Sequence, residues 1–309
     1  MEDFAIHTDQ LFKSYEKGIF ALKDLSIDVP QGEIFGFLGP NGAGKTTTVK
    51  LLTGLLKPTR GTCSVMGLPP FARPADTHRI CGVVTESARM YGRMTGLENL
   101  EFFAETQGLD EKSARARAEE LLKAMGLWDA RDKTLRTYST GMAQRLSLAR
   151  ALVGKPRVLF LDEPTSGLDP ETAQEVNRLI ASLSKNEGVT VFLCTHQLRY
   201  AQDICSRYGI LERGDLLTCG TLESMSRSAQ IFTKAEIRVR DGDRLDGMVQ
   251  TQDGWWQADL HHDDEMPGLL KKLMEGGHEI YEARLVKPTL EDVYFRYVKM
   301  ADEEGLTCS

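Results

Sequence analysis

Hydrophobic and polar positions follow one consistent pattern over the first two thirds of the chain. Short apolar runs rich in β-branched and aromatic residues alternate with longer segments that carry apolar residues at helical spacing. The runs are typical of strands covered on both faces, and the longer segments are typical of amphipathic helices. The predicted strands include 34–38, 158–161 and 189–193, and the predicted helices include 113–125 and 173–183. This alternation predicts an α/β domain with a largely parallel sheet over residues 1–223.

The pattern of hydrophobic and polar positions changes after residues 224–232, a polar segment with three serines that we interpret as a linker. Beyond it, Asp253-Gly254 lies between two short strand-like runs and is a strong hairpin signal. The predicted strands are 235–240, 248–252, 255–260 and 280–286, and the predicted helices are 268–275 and 289–300. Residues 233–309 are therefore predicted to form a small α+β domain, to which we assign dimer contact or regulation and no chemistry.

Composition agrees with a folded globular protein and limits the partners. The chain has 309 residues, of which 41% are hydrophobic and 27% charged, and its formal net charge is −7. The excess of acidic side chains does not favour nonspecific binding to nucleic acid, so we expect no nucleic-acid partner. The six cysteines lack the pair spacing of a metal site, which favours reduced, mostly buried thiols.

A glycine-rich segment follows the strand 34–38 and precedes a helix that begins near Lys45. It reads Gly39-Pro40-Asn41-Gly42-Ala43-Gly44-Lys45-Thr46 and fits the pattern G-x-x-x-x-G-K-[ST]. Its backbone N–H groups can surround phosphates at a helix N-terminus, where the helix dipole favours anions. Lys45 is predicted to reach the β- and γ-phosphates and the Thr46 hydroxyl to bind Mg²⁺. The predicted nucleotide-binding residues are Gly39, Pro40, Asn41, Gly42, Ala43, Gly44, Lys45, Thr46 and Thr47.

Two carboxylates end the predicted strand 158–161. Asp162 would lie beside the phosphate loop as a second Mg²⁺ ligand, and Glu163 would orient and polarise the water that attacks the γ-phosphate. The alternative is that both are helix-capping acids before Pro164. The phosphate loop about 120 residues upstream favours the catalytic interpretation.

The segment Tyr138-Ser139-Thr140-Gly141-Met142-Ala143-Gln144-Arg145 resembles the signature motif of ABC (ATP-binding cassette) ATPases, which usually reads L-S-G-G-Q. The order of phosphate loop, signature, Asp162-Glu163 and a later isolated His196 is specific to that family. The resemblance covers residues 4–223 and implies a P-loop ABC ATPase domain with a helical lobe, opening at 91–108, that binds ATP and Mg²⁺.

The resemblance assigns roles across a dimer. Ser139, Thr140, Gly141 and Met142 would face the nucleotide of a second ATPase chain, and Asp169 would contact that chain. Thr140 and Met142 depart from the usual glycine and glutamine, whereas Ser139 and Gly141 keep the contacting residues. Asp169 can also simply cap the helix that begins at Pro170.

Three further residues follow from the resemblance. His196 would contact the γ-phosphate and couple it to the catalytic carboxylate. Tyr15 matches the aromatic residue that stacks on adenine, with an ordinary core residue as the alternative. Glu86 stands where the family usually has a glutamine; we predict that it is a Mg²⁺ ligand, with an exposed loop acid as the alternative.

Residues 284–298 resemble the ending of ATP-binding subunits of bacterial exporters of drugs, antibiotics or sodium. The resemblance implies a cytoplasmic ATPase subunit, peripheral on the inner face of the membrane, that pairs with a second ATPase chain and drives a separate integral-membrane permease. The catalytic residues would be Glu163, His196 and Lys45. The alternatives are an import-type subunit, a soluble ABC ATPase without a transport role, and a nucleotide-binding regulator with little turnover.

Overall fold

A computed structural model describes residues 4–16, 18–85, 90–240 and 244–303. The chain divides into two compact units, with the boundary between Thr221 and Leu222. In the first unit the strands are β1 (Phe4–Glu16), β2 (Ile19–Pro30), β3 (Ile34–Leu38), β4 (Arg60–Val65), β5 (Cys81–Val84), β6 (Val158–Asp162), β7 (Thr190–Thr195), β8 (Arg207–Glu212) and β9 (Asp215–Gly220). Its helices are α1 (Lys45–Leu52), α2 (Pro74–Ile80), α3 (Gly96–Thr106), α4 (Glu111–Ala124), α5 (Thr140–Leu152), α6 (Pro170–Glu187) and α7 (Leu198–Ile204).

The nine strands of the first unit form one sheet in the order β4-β1-β2-β9-β8-β3-β7-β6-β5. The strands from β8 to β5 are parallel, and β7 lies between β3 and β6. Leu38 at the end of β3 pairs with Thr195 at the end of β7, and Asp162 at the end of β6 pairs with Cys194. The carboxyl ends of these three strands therefore meet at one edge of the sheet, where ligands of parallel α/β sheets bind.

Four phenylalanines fix the relative positions of the three strands. The Phe192 ring of β7 lies 5.5 Å from Phe35, 5.1 Å from Phe37 and 5.8 Å from Phe160, measured between ring centroids. All four rings are fully buried. Burying one such ring stabilises the fold by roughly 1.5–3 kcal/mol, so the cluster resists a slip of one strand against its neighbours.

Among the described residues, five of the eight strand pairs in this sheet are parallel, as the predicted largely parallel arrangement requires, and three are antiparallel. β1 and β2 are long, consecutive and antiparallel, and β4 and β9 also have an antiparallel neighbour. The sequence pattern of β1 is obscured because its pairing with β2 shifts register several times and Gln10 adopts a positive φ of 45°. Such bulges break the two-residue alternation from which a half-buried strand is recognised.

The second unit contains the helices α8 (Leu222–Ser228), α9 (Glu265–Glu275) and α10 (Leu290–Glu303), and the strands β10 (Thr233–Val239), β11 (Val249–Gln250), β12 (Trp256–Leu260) and β13 (Ile280–Val286). The strands form an antiparallel sheet in the order β11-β12-β10-β13. The predicted Asp253-Gly254 hairpin joins β11 to β12, with the Thr251 N–H donating to the Trp255 carbonyl oxygen at 2.7 Å. The small α+β character predicted from the sequence is thus present.

The predicted linker at 224–232 is corrected in part, because its first half belongs to α8. This helix packs against α10, and the Tyr297 hydroxyl donates to the Met225 carbonyl oxygen at 3.3 Å. Met225 and Ser226 are buried, and the Ser226 hydroxyl bonds within the helix to the Leu222 carbonyl oxygen. Serines that satisfy their hydroxyls inside a helix look like loop residues in the sequence, which explains the error.

Within the part of the chain that the structure describes, no helix combines the length and the apolar character needed to cross a bilayer.

Candidate active site

The phosphate-loop segment folds as a tight turn between β3 and α1. Gly42 and Gly44 adopt φ values of 85° and 114°, which disfavour residues with a side chain. A Cβ atom at Gly44 would lie 2.4 Å from the Ala21 carbonyl oxygen, and one at Gly39 would lie 2.2 Å from the Leu211 carbonyl oxygen. Gly39 and Gly44 are therefore required by close backbone neighbours, and Gly42 by the conformation of the turn.

A cleft opens at the N-terminus of α1 and contains most of the predicted nucleotide-binding residues. Both strand-end carboxylates, Asp162 and Glu163, line it together with the loop. The lining residues are Ala21, Pro40, Asn41, Gly42, Gly44, Lys45, Thr46, Thr47, Asp162 and Glu163. The structure thus brings together groups that are separated by almost 120 positions in the sequence.

Lys45 is buried at the base of this cleft and is only 5% exposed. Its Nζ donates to the carbonyl oxygens of Gly39 at 2.6 Å and Pro40 at 3.1 Å, and it lies 3.6 Å from Glu163 Oε1. A buried ammonium needs such partners because desolvation of an unpaired charge is costly. The ammonium is thereby held where phosphate oxygens would meet the loop N–H groups.

Thr46 and Asp162 bring two side-chain oxygen atoms together in the same cleft. The Thr46 hydroxyl donates to Asp162 Oδ2 at 2.7 Å, and Asp162 is only 5% exposed. A hydroxyl and a carboxylate at this separation are hard oxygen donors of the kind that Mg²⁺ prefers, so the residues fit a magnesium ion. Behind them lies the Cys194 thiol, whose pKa is raised by burial and which therefore stays neutral.

Glu163 is the most constrained side chain of the site. It adopts a positive φ of 51°, and its N–H donates to the Cys194 carbonyl oxygen at 2.9 Å. Oε1 lies 2.8 Å from Nδ1 of His196 and accepts the His196 N–H at 3.1 Å, and Oε2 accepts the Thr195 hydroxyl at 3.0 Å. The Glu163 carboxylate is buried, whereas the His196 side chain is 47% exposed. His196 is therefore joined to the cleft through Glu163.

Tyr15 lies at the edge of the cleft and is 56% exposed, so the alternative of a core residue is excluded. Its hydroxyl is 3.3 Å from the Thr47 hydroxyl, and the Lys13 ammonium lies 5.4 Å from its ring centroid. The exposed Tyr15 side chain therefore lies next to Thr47 of the phosphate loop. Adenine stacking on this ring stays a prediction.

The signature residues form a separate group at the N-terminus of α5. Ser139 caps this helix, and its hydroxyl accepts the Met142 N–H at 3.2 Å. Gly141 lies against α6, since a Cβ atom there would be 2.4 Å from Thr172 Cγ2. Ser139, Thr140, Gly141 and Met142 do not line the cleft in the described part of the chain.

Asp169 caps α6, as the alternative to a dimer contact predicts. Its carboxylate accepts the Thr172 N–H at 3.0 Å and the Thr172 hydroxyl at 2.7 Å, and these bonds lower its pKa. Capping and contact with a second chain do not exclude each other. Glu86 lies outside the described residues, so its predicted role as a metal ligand is not tested.

Sequence reasoning missed Thr195, whose hydroxyl bonds to the Glu163 carboxylate. Thr195 is 2% exposed, and its hydroxyl also accepts the Gln197 N–H at 3.0 Å. The Gln197 side chain in turn accepts the Thr165 hydroxyl at 3.2 Å. A threonine at the end of a strand is an ordinary strand residue in the sequence, and the only signal was its position next to His196.

Known proteins are similar to this chain in sequence. A family model described as ABC transporter matches residues 22–166. The bacitracin transport ATP-binding protein BcrA of Bacillus licheniformis is 33% identical over 304 residues, which cover 95% of this chain and 97% of BcrA. The daunorubicin/doxorubicin resistance ATP-binding protein DrrA of Streptomyces peucetius is 40% identical over 224 residues, or 72% of this chain and 67% of DrrA.

A solved structure extends the likeness to the fold. The ATP-binding cassette MJ0796, in a dimeric post-hydrolysis state bound to ADP and Pi, superposes with a TM-score of 0.64 at 27% identity. The match covers 98% of that cassette and 70% of this chain. With BcrA matched over nearly its whole length, the likeness includes the second unit. The chain therefore belongs to the ABC transporter ATP-binding proteins, and it is an ATPase of that family.

Proposed function

We propose that two copies of this chain bind two MgATP between them, hydrolyse ATP with Glu163 as the group that positions water, and drive a separate permease in an exporter. The proposal places the chain at the cytoplasmic face of the membrane, held there by that permease. The observation that carries it is the Glu163 carboxylate, buried within 3.6 Å of the Lys45 ammonium and next to Asp162 in one cleft.

The proposed hydrolytic step uses groups that the chain already orients. The water oxygen forms a bond to the γ-phosphorus while the bond to the bridging oxygen of ADP breaks, and the water proton passes to Glu163. Lys45 and the loop N–H groups stabilise the charge on the phosphate oxygens. His196 Nδ1, at 2.8 Å from Glu163 Oε1, holds the carboxylate from the solvent side.

Thr46 and Asp162 are the residues that would hold Mg²⁺. When bound, the ion supplies charge neutralisation at the phosphate oxygens. The 2.7 Å contact between the Thr46 hydroxyl and Asp162 Oδ2 supports this assignment, because it brings two hard oxygen donors together in the cleft. Glu86 would be a further ligand, as the sequence predicts.

The pairing of two chains is supported by the separation of the two phosphate-binding features. The cleft at α1 and the signature at α5 are both helix N-termini, yet the signature does not line the cleft among the described residues. In a pair of chains, Ser139 and Gly141 of one copy would meet the γ-phosphate held by the other. The ATP-binding cassette MJ0796, which is similar to this chain, is dimeric.

An exposed aromatic patch, formed by Tyr91, Phe102 and Phe103, supports contact with a permease. The Tyr91 and Phe102 rings are 51% and 37% exposed and pack edge to face at 5.1 Å, and Phe103 lies 5.4 Å from Phe102. Buried Asn99 fixes the patch, because its side chain bonds to both the N–H and the carbonyl oxygen of Tyr91. Rigid exposed aromatic side chains are enriched at protein interfaces.

Export is supported by the relatives. BcrA is named for bacitracin transport and DrrA for daunorubicin and doxorubicin resistance. Both names fit a subunit that serves the removal of compounds from the cell.

The test is the variant Glu163→Gln. We expect ATP turnover to fall about 100- to 10,000-fold because the acceptor for the water proton is lost. ATP binding should persist, so the variant should accumulate as dimers with ATP, measured by size-exclusion chromatography with light scattering. Rapid turnover by Glu163→Gln would refute the assigned role.

Affinity capture of tagged Glu163→Gln with ATP from detergent-solubilised cells tests the permease. The same capture with Phe102→Glu added is the matched control, since this change leaves the cleft intact and places a charge in the patch. A polytopic membrane protein retained by the first variant and lost by the second supports the proposal. Recovery of soluble partners alone, from a fully solubilised membrane fraction, would favour an ATPase without a transport role.

A further inference from the structure

The direction of the Glu163 carboxylate is set by more than its own backbone. Its φ of 51° fixes the backbone, and both oxygens of the carboxylate have hydrogen-bond partners. Oε1 takes the His196 N–H, the His196 ring and the ion pair with Lys45. The two oxygens are therefore in different environments: Oε1 contacts His196 and Lys45, and Oε2 contacts Thr195.

Oε2 is held by Thr195. The Thr195 hydroxyl has one proton, which it donates to Oε2 at 3.0 Å, and its oxygen accepts the Gln197 N–H at 3.0 Å. Within the described ranges, this hydroxyl is the one hydrogen-bond donor to Oε2. Because a carboxylate oxygen has two acceptor positions, Oε2 keeps one of them for the proton of a water molecule.

The hydroxyl itself cannot turn away easily. Thr195 is 2% exposed, it ends β7, and its backbone pairs with Leu38, the last strand residue before the phosphate loop. A β-branched side chain in a strand has restricted rotation about χ1. The bond from Thr195 to Glu163 thereby ties the carboxylate to the strand next to the one that carries the loop.

We propose that Thr195 is a positioning residue for ATP hydrolysis, because its hydroxyl fixes Oε2 of Glu163 in the direction from which that oxygen takes the proton of the attacking water. The inference rests on the proposed role of Glu163. It predicts an effect on the chemical step and none on ATP binding, since Thr195 does not line the cleft among the described residues.

Thr195→Val tests the inference because valine keeps the branched shape and removes the hydroxyl. We expect kcat for ATP to fall about 10- to 100-fold, the loss typical of a misplaced catalytic group, with KM and ATP affinity unchanged. Thr195→Ser keeps the hydroxyl and should retain most of the turnover. Steady-state kinetics and equilibrium binding of ATP provide both values.

Thr165→Val is the matched control. The Thr165 hydroxyl belongs to the same network and is also buried, but it donates to the Gln197 side chain and does not touch Glu163. Its removal should leave kcat within about threefold of the wild-type value. An equal loss in Thr165→Val and Thr195→Val would show general loosening of the turn and would overturn the inference.

Circular dichroism and thermal unfolding report whether each variant is folded, and Thr195→Ala replaces Thr195→Val if the valine variant fails this check. Wild-type kcat in a folded Thr195 variant without the hydroxyl, beside an inactive Glu163→Gln, would overturn the inference alone. An active Glu163→Gln would overturn the proposed function and the inference with it.

Discussion

Gly141→Ala should destabilise the contact between α5 and α6 even without a second chain. The added Cβ would lie 2.4 Å from Thr172 Cγ2, about 1 Å closer than two carbon atoms approach favourably. Thr172 cannot rotate its methyl group away at no cost, because its hydroxyl is fixed to Asp169 at 2.7 Å. The glycine of the signature is thus constrained from inside its own chain.

The loss of local stability caused by Gly141→Ala follows from two opposed effects. Forcing an extra methyl group into a packed contact costs about 1–3 kcal/mol, whereas alanine in place of glycine stabilises a helix by about 0.5–1 kcal/mol. The steric effect is the larger, so the net loss of local stability is about 0.5–2 kcal/mol. Amide hydrogen exchange in peptides covering α5 and the first turn of α6 should become roughly 2- to 30-fold faster.

Thr172→Ser provides the matched background, since serine removes Cγ2 and keeps the hydroxyl that bonds to Asp169. In that background Gly141→Ala should no longer accelerate exchange, which gives a coupling energy of about 0.5–2 kcal/mol. An equal effect of Gly141→Ala in both backgrounds would refute the steric reasoning. If Thr172→Ser restores exchange but ATP turnover stays low, the glycine is needed for the contact with the second chain.

Two further predictions concern Mg²⁺ and pH. Thr46→Ala should raise the Mg²⁺ concentration for half-maximal ATP turnover about 10-fold or more, because one of the two paired oxygen donors is lost. Thr47→Ala, whose hydroxyl faces Tyr15, should change it little, and an equal shift in both would contradict the assignment of Thr46. Hydrogen bonds from the Thr172 N–H and hydroxyl lower the pKa of Asp169. The ionised carboxylate therefore stabilises the fold at pH values above the unfolded-state pKa of about 3.9. This stabilisation is lost as the pH falls through the pKa of Asp169 in the folded protein. The wild type should therefore have a higher Tm than Asp169→Asn near neutral pH, and the gap should shrink below about pH 4; a constant gap would show that the carboxylate charge does not contribute.

The predictions that came from contiguous motifs correspond closely to the structure. The loop from Gly39 to Thr46 and the pair Asp162-Glu163 are defined by neighbours in sequence and by a strand that ends at a fixed edge of the sheet. The assignment to the ABC family, its P-loop fold and its ATPase activity are confirmed by the relatives and the solved cassette. Local patterns suffice because strand ends alone bring these groups together.

Features that depend on tertiary packing were not predictable in the same way. The contact of Thr195 with Glu163 joins two strands, and the contact of Gly141 with Thr172 joins two helices. Neither pair has a spacing that a periodic pattern would reveal. The helix α8 was hidden because its burial depends on packing against α10, which lies more than 60 residues away in the sequence.

The buried pair of Lys45 and Glu163 explains why the phosphate loop and the end of β6 depend on each other for folding. Each side chain is less than 10% exposed, and their charged atoms lie 3.6 Å apart. Either charge alone would be strongly destabilising at this depth, so each provides part of the solvation that the other has lost. A phosphate that binds to Lys45 brings its own negative charge next to Glu163. The hydrogen bonds that Thr195 and His196 donate then hold the Glu163 carboxylate in place. The same residues that make the buried charges tolerable thereby fix the geometry of the proposed water attack.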